Sequence, residues 1–430
     1  MDTLREFVKA VWLEDEQAPM ADTTPRAWSK PDSISGDFEL RRLTTNENRD
    51  GRRTDFFEFY WAHLMEGTTL SHIGAWAKVL LWRAPWRLPG QLLGFWVTLW
   101  VLVLTGLGAV VAKAAGWLPD SGGMLLWFAA LWTLLGGAVI RVLLNVAGDA
   151  ARYLHVAPEN IAIRRKIREA GIDLLEKVHD DGGYERIILV GHSLGTVIGY
   201  DILTHLWPRY NRASELEAGK TPDHTALQGL EKLAGVPGRG KLDVDAFQAA
   251  QAAYFAELQG RKKKWLVSDF VTMGSPLAHA EVLMARDAGQ LRMRKEEREF
   301  PTCPPTLETL EGQERFSYPM PNAVRRTEDV PLRDWLPHHA AVFAPTRWTN
   351  LYFPCHQTLW GDVIGGMVRP VFGPGVRDVE VHTDLQFGLL SHTLYWTLPQ
   401  EGKADWIAEL RKAARICESP VTSVVGPLGK

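Results

Sequence analysis

Cysteine is scarce: three residues in 430 (Cys303, Cys355 and Cys417), widely spaced and forming no CxxC pair. This excludes a disulfide framework and a thiolate metal site, and it fits a reducing compartment. No HExxH, no clustered Cys/His pair and no Asp-rich loop occurs, so no metal is expected. No GxGxxG or GxxxxGK(S/T) stretch occurs either, so no cofactor is expected. A net charge of -3 supplies no basic field, which argues against a nucleic-acid partner. An internal repeat is missing, and so is a signal-peptide h-region, because Asp2, Arg5, Glu6 and Lys9 interrupt the first apolar residues. Leu4, Phe7, Val8 and Val11 instead fall at i, i+3, i+4 and i+7, which predicts an amphipathic helix at once.

Charge is also missing from two long stretches. Leu88 to Ala112 contains none, and as a helix would be roughly 35 Å long, enough to cross a hydrocarbon core of about 30 Å. A second uncharged run covers Ser121 to Ile140, after a short connector holding Lys113, Trp117, Pro119 and Asp120. Together they predict a transmembrane helical hairpin over 88–140, with the lipid bilayer as partner. Lys78, Arg83 and Arg87 precede it; Arg141, Arg152, Arg164, Arg165 and Lys166 follow it. By the positive-inside rule both large flanks are cytoplasmic, with Trp82, Trp86 and Trp117 as interfacial anchors.

Outside the hairpin, short apolar runs alternate with helical patterns. Strands are expected at Thr54–Trp61, Arg186–Val190, Trp265–Thr272, Arg347–Phe353 and Val376–Val381, and helices at 157–180 and from Leu194 to Leu206. Such alternation predicts an α/β fold with a mostly parallel sheet between helices. The chain divides into an N-terminal part (1–87), the hairpin (88–140) and a main domain (141–430). Two polar stretches near 207–264 and 286–345, the second with the run RMRKEEREF, read as insertions above the strand ends.

The chemistry starts at Gly191-His192-Ser193-Leu194-Gly195. A serine hydroxyl needs an adjacent base to become a nucleophile. A sharp strand-to-helix turn presents it, and glycines two before and two after let backbone segments approach closely. Here the pattern sits between an apolar strand and a helix, the context that gives a GxSxG weight. The Leu194 N–H then points at the oxyanion. His192, inside the turn, reads as structural. The acid should follow a later strand: Asp362, in the Gly-rich loop after Phe353, is the candidate, with Asp334 and Asp384 as rivals. The base should come last in chain order. His392, in Ser-His-Thr-Leu-Tyr-Trp, is preferred and His382 is the alternative. Gly274 and Ser275, ending another strand, are candidates for shaping the pocket.

GHSLGTVIGYD, SDFVTMGSPLAHA, RWTNLYFP with Asp362 and Gly365-Gly366, and SHTLYW together resemble a family of bacterial α/β-hydrolase, lipase-like proteins. The resemblance covers most of the chain outside the hairpin; the elbow and the TMGSPL segment are its most specific parts. It implies an α/β-hydrolase fold with Ser193, Asp362 and His392 as the triad, and it supplies no substrate. Relatives of this kind carry, ahead of the Met-Asp-Thr-Leu helix, a strand ending in His-Gly whose loop gives the second oxyanion N–H. Nothing precedes Met1 here. The expectation is that the start falls on an internal methionine; otherwise this form lacks a central strand and would be inactive.

The residues therefore predict a serine hydrolase cleaving a carboxylic ester, with a lipid or other apolar acyl ester as substrate. A non-catalytic membrane scaffold of the same fold, and a thioesterase or acyltransferase using the same triad, are the alternatives. The oligomeric state is not legible.

Overall fold

The computed structural model describes residues 2–15, 18, 24–34, 41–65, 82, 84–87, 90–116, 132, 153, 158–212, 224–235, 242–321, 333–355, 361–383, 391–399 and 405–416. The chain opens with helix α1 (Asp2–Val8), which runs on as a π-helical turn over Lys9–Leu13 and buries Ala10, Val11 and Trp12. An antiparallel meander follows: β1 (Ala27–Pro31), β2 (Arg41–Thr45) and β3 (Asp55–Phe56). The strand expected over Thr54–Trp61 is thus only two residues long. It belongs to this small sheet rather than to a parallel one, and a 3-10 turn at Ala62–Met65 follows it.

Helix α2 (Gly90–Ala114) is 25 residues long and leaves Val97, Val101, Leu104, Leu107 and Val110 exposed. Its stretch Trp96–Ala114 is long and apolar enough to cross a membrane, and it is the one such helix among the described residues. Trp82 and Trp86, just ahead of it, are each 81% exposed. The second uncharged run lies outside the described residues except for Trp132. That ring packs on α2 at Gly106, where an added Cβ would fall 2.6 Å from it. A two-span hairpin is accordingly not part of the described fold.

The main domain alternates as its periodicities predict. Helix α3 (Pro158–Asp180) leads to β4 (Ile187–His192), then α4 (Leu194–Tyr210), α5 (Thr225–Ala234) and α6 (Val244–Leu258). Next come β5 (Val267–Met273) and α7 (Ala288–Glu296), then two hairpins, β6 (Glu308–Leu310) with β7 (Gln313–Arg315) and β8 (Ser317–Pro321) with β9 (Arg333–Pro337). β10 (Arg347–Tyr352), β11 (Arg377–Glu380) and α8 (Asp405–Ala414) complete it. Four strands form one parallel sheet in the order β11-β10-β5-β4.

Period-2 alternation decides which side chain meets which layer. Phe270 of β5 and Trp348 of β10 join α3, α4 and α6 in one core, where the Phe343 and Trp348 rings stack at 4.5 Å. Val271, Met273 and Leu351 join Val8, Val11, Trp12 and Leu410 of α1 and α8 in the other. Both faces are therefore covered, as a parallel sheet requires. The stretch 207–264, read as an insertion, contains a central part of this core. Phe247 and Tyr254 of α6 are fully buried, and Gln251 donates to the carbonyls of Phe343 (2.7 Å) and Thr346 (3.1 Å). In 286–345, the charge run lies on and just after α7, and the rest is the two hairpins.

β4 pairs with β5 alone among the described residues, although its sequence is as apolar as that of an inner strand. Along its other side runs a slot of about 570 Å³. Glu185 to Val190 line it without a break, with Leu174, Val178, Ile198 and Ile202 on one face and Phe7, Trp12 and Ile416 on the other. Unbroken lining by successive residues means that the slot borders the strand's edge, where backbone N–H and C=O groups point, rather than one of its faces.

Candidate active site

Parallel strands in register end together. His192 pairs with Met273, and Tyr352 with Glu380, so the segments after all four strands meet at one rim. Ligand sites in open α/β sheets form at this carboxyl edge. Ser193 follows β4, Gly274 and Ser275 follow β5, and the loop to Asp362 follows β10. The turn carrying His392 comes after β11.

Ser193 has φ 52° and ψ -128°, a backbone conformation that L-residues avoid at a cost of about 1–3 kcal/mol. Its neighbours hold it there. Ser193 N–H donates to Met273 O at 3.0 Å, and Thr196 N–H returns to Ser193 O at 3.0 Å. Leu277 N–H donates to Ser275 Oγ (3.3 Å), which lies 2.7 Å from Thr196 Oγ1, and Thr196 Oγ1 in turn donates to Ser193 O (2.7 Å). Thr196 spends its proton on Ser193 O, so Ser275 must donate to Thr196. Ser275 is fully buried; it caps a 3-10 turn and braces the elbow. Gly191 is required sterically, since a Cβ there would sit 2.9 Å from the Gly195–Thr196 backbone. Gly195 is not: its Cβ would meet nothing within 4 Å, because it faces the slot beside β4. Leu194 begins α4, so its N–H lacks a partner within the helix and lies at the positive end of the helix dipole.

The acid and base expected from chain order meet. His392 Nδ1 lies 2.9 Å from Asp362 Oδ2, with Asp362 fully buried and His392 6% exposed. Asp362 Oδ1 accepts the Ile364 N–H at 2.9 Å, and Oδ2 also accepts the Tyr395 hydroxyl at 2.8 Å. Burial pushes this carboxyl's pKa up, but the His392 charge and the bonds from His392, Gly365 and Tyr395 outweigh it. The net direction is down. Asp362 is therefore ionised at neutral pH, which selects the His392 tautomer with its proton on Nδ1 and turns Nε2 away from the acid.

His192 ties the serine turn to His392. Its Nε2 donates to His392 O at 2.7 Å, and the two rings are 4.7 Å apart. Gly274 (φ 55°) lies beneath the pair, where a Cβ would fall 2.8 Å from Tyr395, 2.9 Å from Asp362 Oδ2 and 3.0 Å from His392. Only glycine fits. The exposed ring of His382 faces Glu380 at 3.4 Å, just beyond β11, whereas Asp362 Oδ2 is engaged by His392 and Tyr395. Asp384 and the side chain of Asp334 lie outside the described residues. Among those described, no group of His, Cys, Asp and Glu could hold a metal ion.

Three supporting residues were not singled out from the sequence. Buried Asn350 donates to Gly366 O and Asp378 Oδ1 and accepts from Thr272, fixing the acid loop to β10. His279 Nε2 donates to Val363 O of the same loop. Tyr395 had a visible signal, its i+3 spacing from His392, but an aromatic in a turn reads first as core.

Several buried or half-buried histidines are held neutral. His179 donates from Nδ1 to Leu175 O and accepts Leu266 N–H at Nε2; His338 accepts Ala340 N–H at Nδ1 and donates from Nε2 to Thr306 O. Protonation would break one bond in each. Loss of solvation lowers His179 and His192 to about 4 and His338 to about 3. The unfolded chain, with these groups near 6.5, binds more protons between those values, so stability rises with pH there and falls as pH drops below about 6.5. Each histidine contributes a slope of about 1.4 kcal/mol per pH unit within its window. Urea midpoints measured from pH 7 to pH 4 are expected to fall steeply; a flat profile contradicts the neutral assignments.

No protein-family model, no curated protein and no solved structure matches this chain.

Proposed function

We propose that the chain is a serine hydrolase of the α/β-hydrolase type, cleaving a carboxylic ester of an apolar acyl group through an acyl-enzyme. The observation that carries this reading is the 2.9 Å bond between His392 and a buried, ionised Asp362, formed at the rim where Ser193 is held in a strained turn. His392 Nε2 takes the Ser193 hydroxyl proton as Oγ attacks the ester carbonyl. The oxyanion develops against the Leu194 N–H. The imidazolium, held by Asp362, returns the proton to the leaving alcohol; the same ring then activates the water that releases the acid.

The second oxyanion donor, in this reading, belongs to a segment pairing with the edge of β4 that faces away from β5. The slot there and the space over Gly195 support it. Helix α2 and the uncharged run 121–140 serve as a two-span anchor with the catalytic domain on the cytoplasmic side, which brings bilayer-borne acyl esters to the site. That β4 pairs on one side only among the described residues also favours a second reading, a membrane scaffold that keeps the fold without turnover.

A fluorophosphonate probe separates the two. Covalent labelling of the full chain in detergent or vesicles is expected, and Ser193→Ala is expected to abolish it. Labelling that survives this substitution removes Ser193 from the role, and no labelling of a folded chain favours the scaffold.

A further inference from the structure

Tyr395 follows His392 by three residues in the same turn, and its hydroxyl occupies the point where that turn, the acid and the end of β10 converge. The hydroxyl donates to Asp362 Oδ2 at 2.8 Å and accepts the Phe353 N–H at 3.1 Å. The ring is 1% exposed and packs against Phe353 at 4.6 Å. A core tyrosine needs a partner for its O–H, and any carbonyl would serve. Tyr395 instead uses the same carboxylate oxygen that holds His392.

We infer that Tyr395 is a positioning residue: its hydroxyl fixes the Asp362 carboxylate and sets how strongly Oδ2 holds the His392 imidazolium. The inference rests on the hydrolase reading above. Two donors on one oxygen share its electron density. With the phenol bond in place, Oδ2 accepts less strongly from His392 and the carboxylate cannot rotate. Burial and the Asp362 charge keep the hydroxyl far above the usual tyrosine range, so it remains a donor at every working pH.

Tyr395→Phe keeps the packing and removes the bond. Oδ2 then holds the imidazolium more tightly, and the acid limb of kcat/KM is expected to move up by about half to one pH unit. Looser alignment is expected to lower kcat about tenfold, with KM unchanged. Site-specific 3-fluorotyrosine at 395 retains the hydroxyl and strengthens it as a donor, so the acid limb should move the opposite way. It carries the test even if the phenylalanine variant fails to fold. Opposite displacements support the inference. A limb that stays put in the fluorotyrosine protein overturns it, and so does a phenylalanine variant that loses thermal stability without a pH shift. Neither result touches the hydrolase reading, which falls only if Ser193→Ala leaves probe labelling intact.

Discussion

Asp362→Asn is expected to lower kcat by about 10,000-fold while leaving the fold and KM nearly unchanged. Asparagine is isosteric, and its carbonyl oxygen can still accept from Ile364 or Tyr395, so the loop between Gly361 and Gly366 keeps its form. The loss is electronic and tautomeric. Asp362 Oδ2 now accepts from His392 Nδ1 inside a site with no water-exposed alternative, the acid being fully buried. An amide presents either an N–H₂ to Nδ1, which forces the ring proton onto Nε2 and removes the base, or a neutral oxygen, which no longer stabilises the imidazolium. Pre-steady-state and steady-state turnover of a chromogenic short-chain ester, alongside a thermal melt, reads the effect. A loss under tenfold in a well-folded variant would remove Asp362 from the reaction.

The parts of this site legible in the sequence are those encoded locally. Strand, Gly-His-Ser-Leu-Gly turn and helix are contiguous, so β4, Ser193 and α4 follow from one stretch of chain. Asp362 and His392 lie 30 residues apart and far from the serine. They were reached through chain order and a family resemblance rather than through any local pattern, and their 2.9 Å bond is a tertiary fact. The meander was hidden for another reason. Ala27–Pro31 contains a lysine and a proline and is half exposed, so its residues do not alternate cleanly, and pairing with Arg41–Thr45 supplies what propensity does not. Helix α6 was misplaced because Gln248 and Gln251 make it look polar. In the fold both are buried, and they satisfy the carbonyls of Trp348, Phe343 and Thr346, so polar letters mark a core position here. Asn350 is the same lesson on a strand: a buried amide that reads as a surface residue until its partners in the acid loop are seen.

An N-terminal extension that adds an apolar strand ending in His-Gly ahead of Met1 is expected to raise kcat/KM by about 100- to 1000-fold, the usual worth of one oxyanion donor. The case is physical. An inner-type strand that pairs on one side only among the described residues turns the N–H and C=O groups of its other edge toward a largely apolar slot. An acyl chain could fill that volume but could not satisfy those groups, whereas a parallel extended segment does both. Thr3 and Leu4 of α1 line the slot, so a segment placed ahead of α1 has a short path into it. Its end would come past Gly195 and His192, next to Ser193, where a backbone N–H can join that of Leu194. Pairing should also raise thermal stability and protect the β4 amides from hydrogen exchange. Those two readouts separate strand docking from a change at the reacting centre. Increased protection without increased turnover would place a strand in the slot but deny it the oxyanion role. Unchanged protection and unchanged turnover would leave the edge of β4 to a different occupant, such as the acyl chain itself, which longer-chain esters competing for the slot would then reveal.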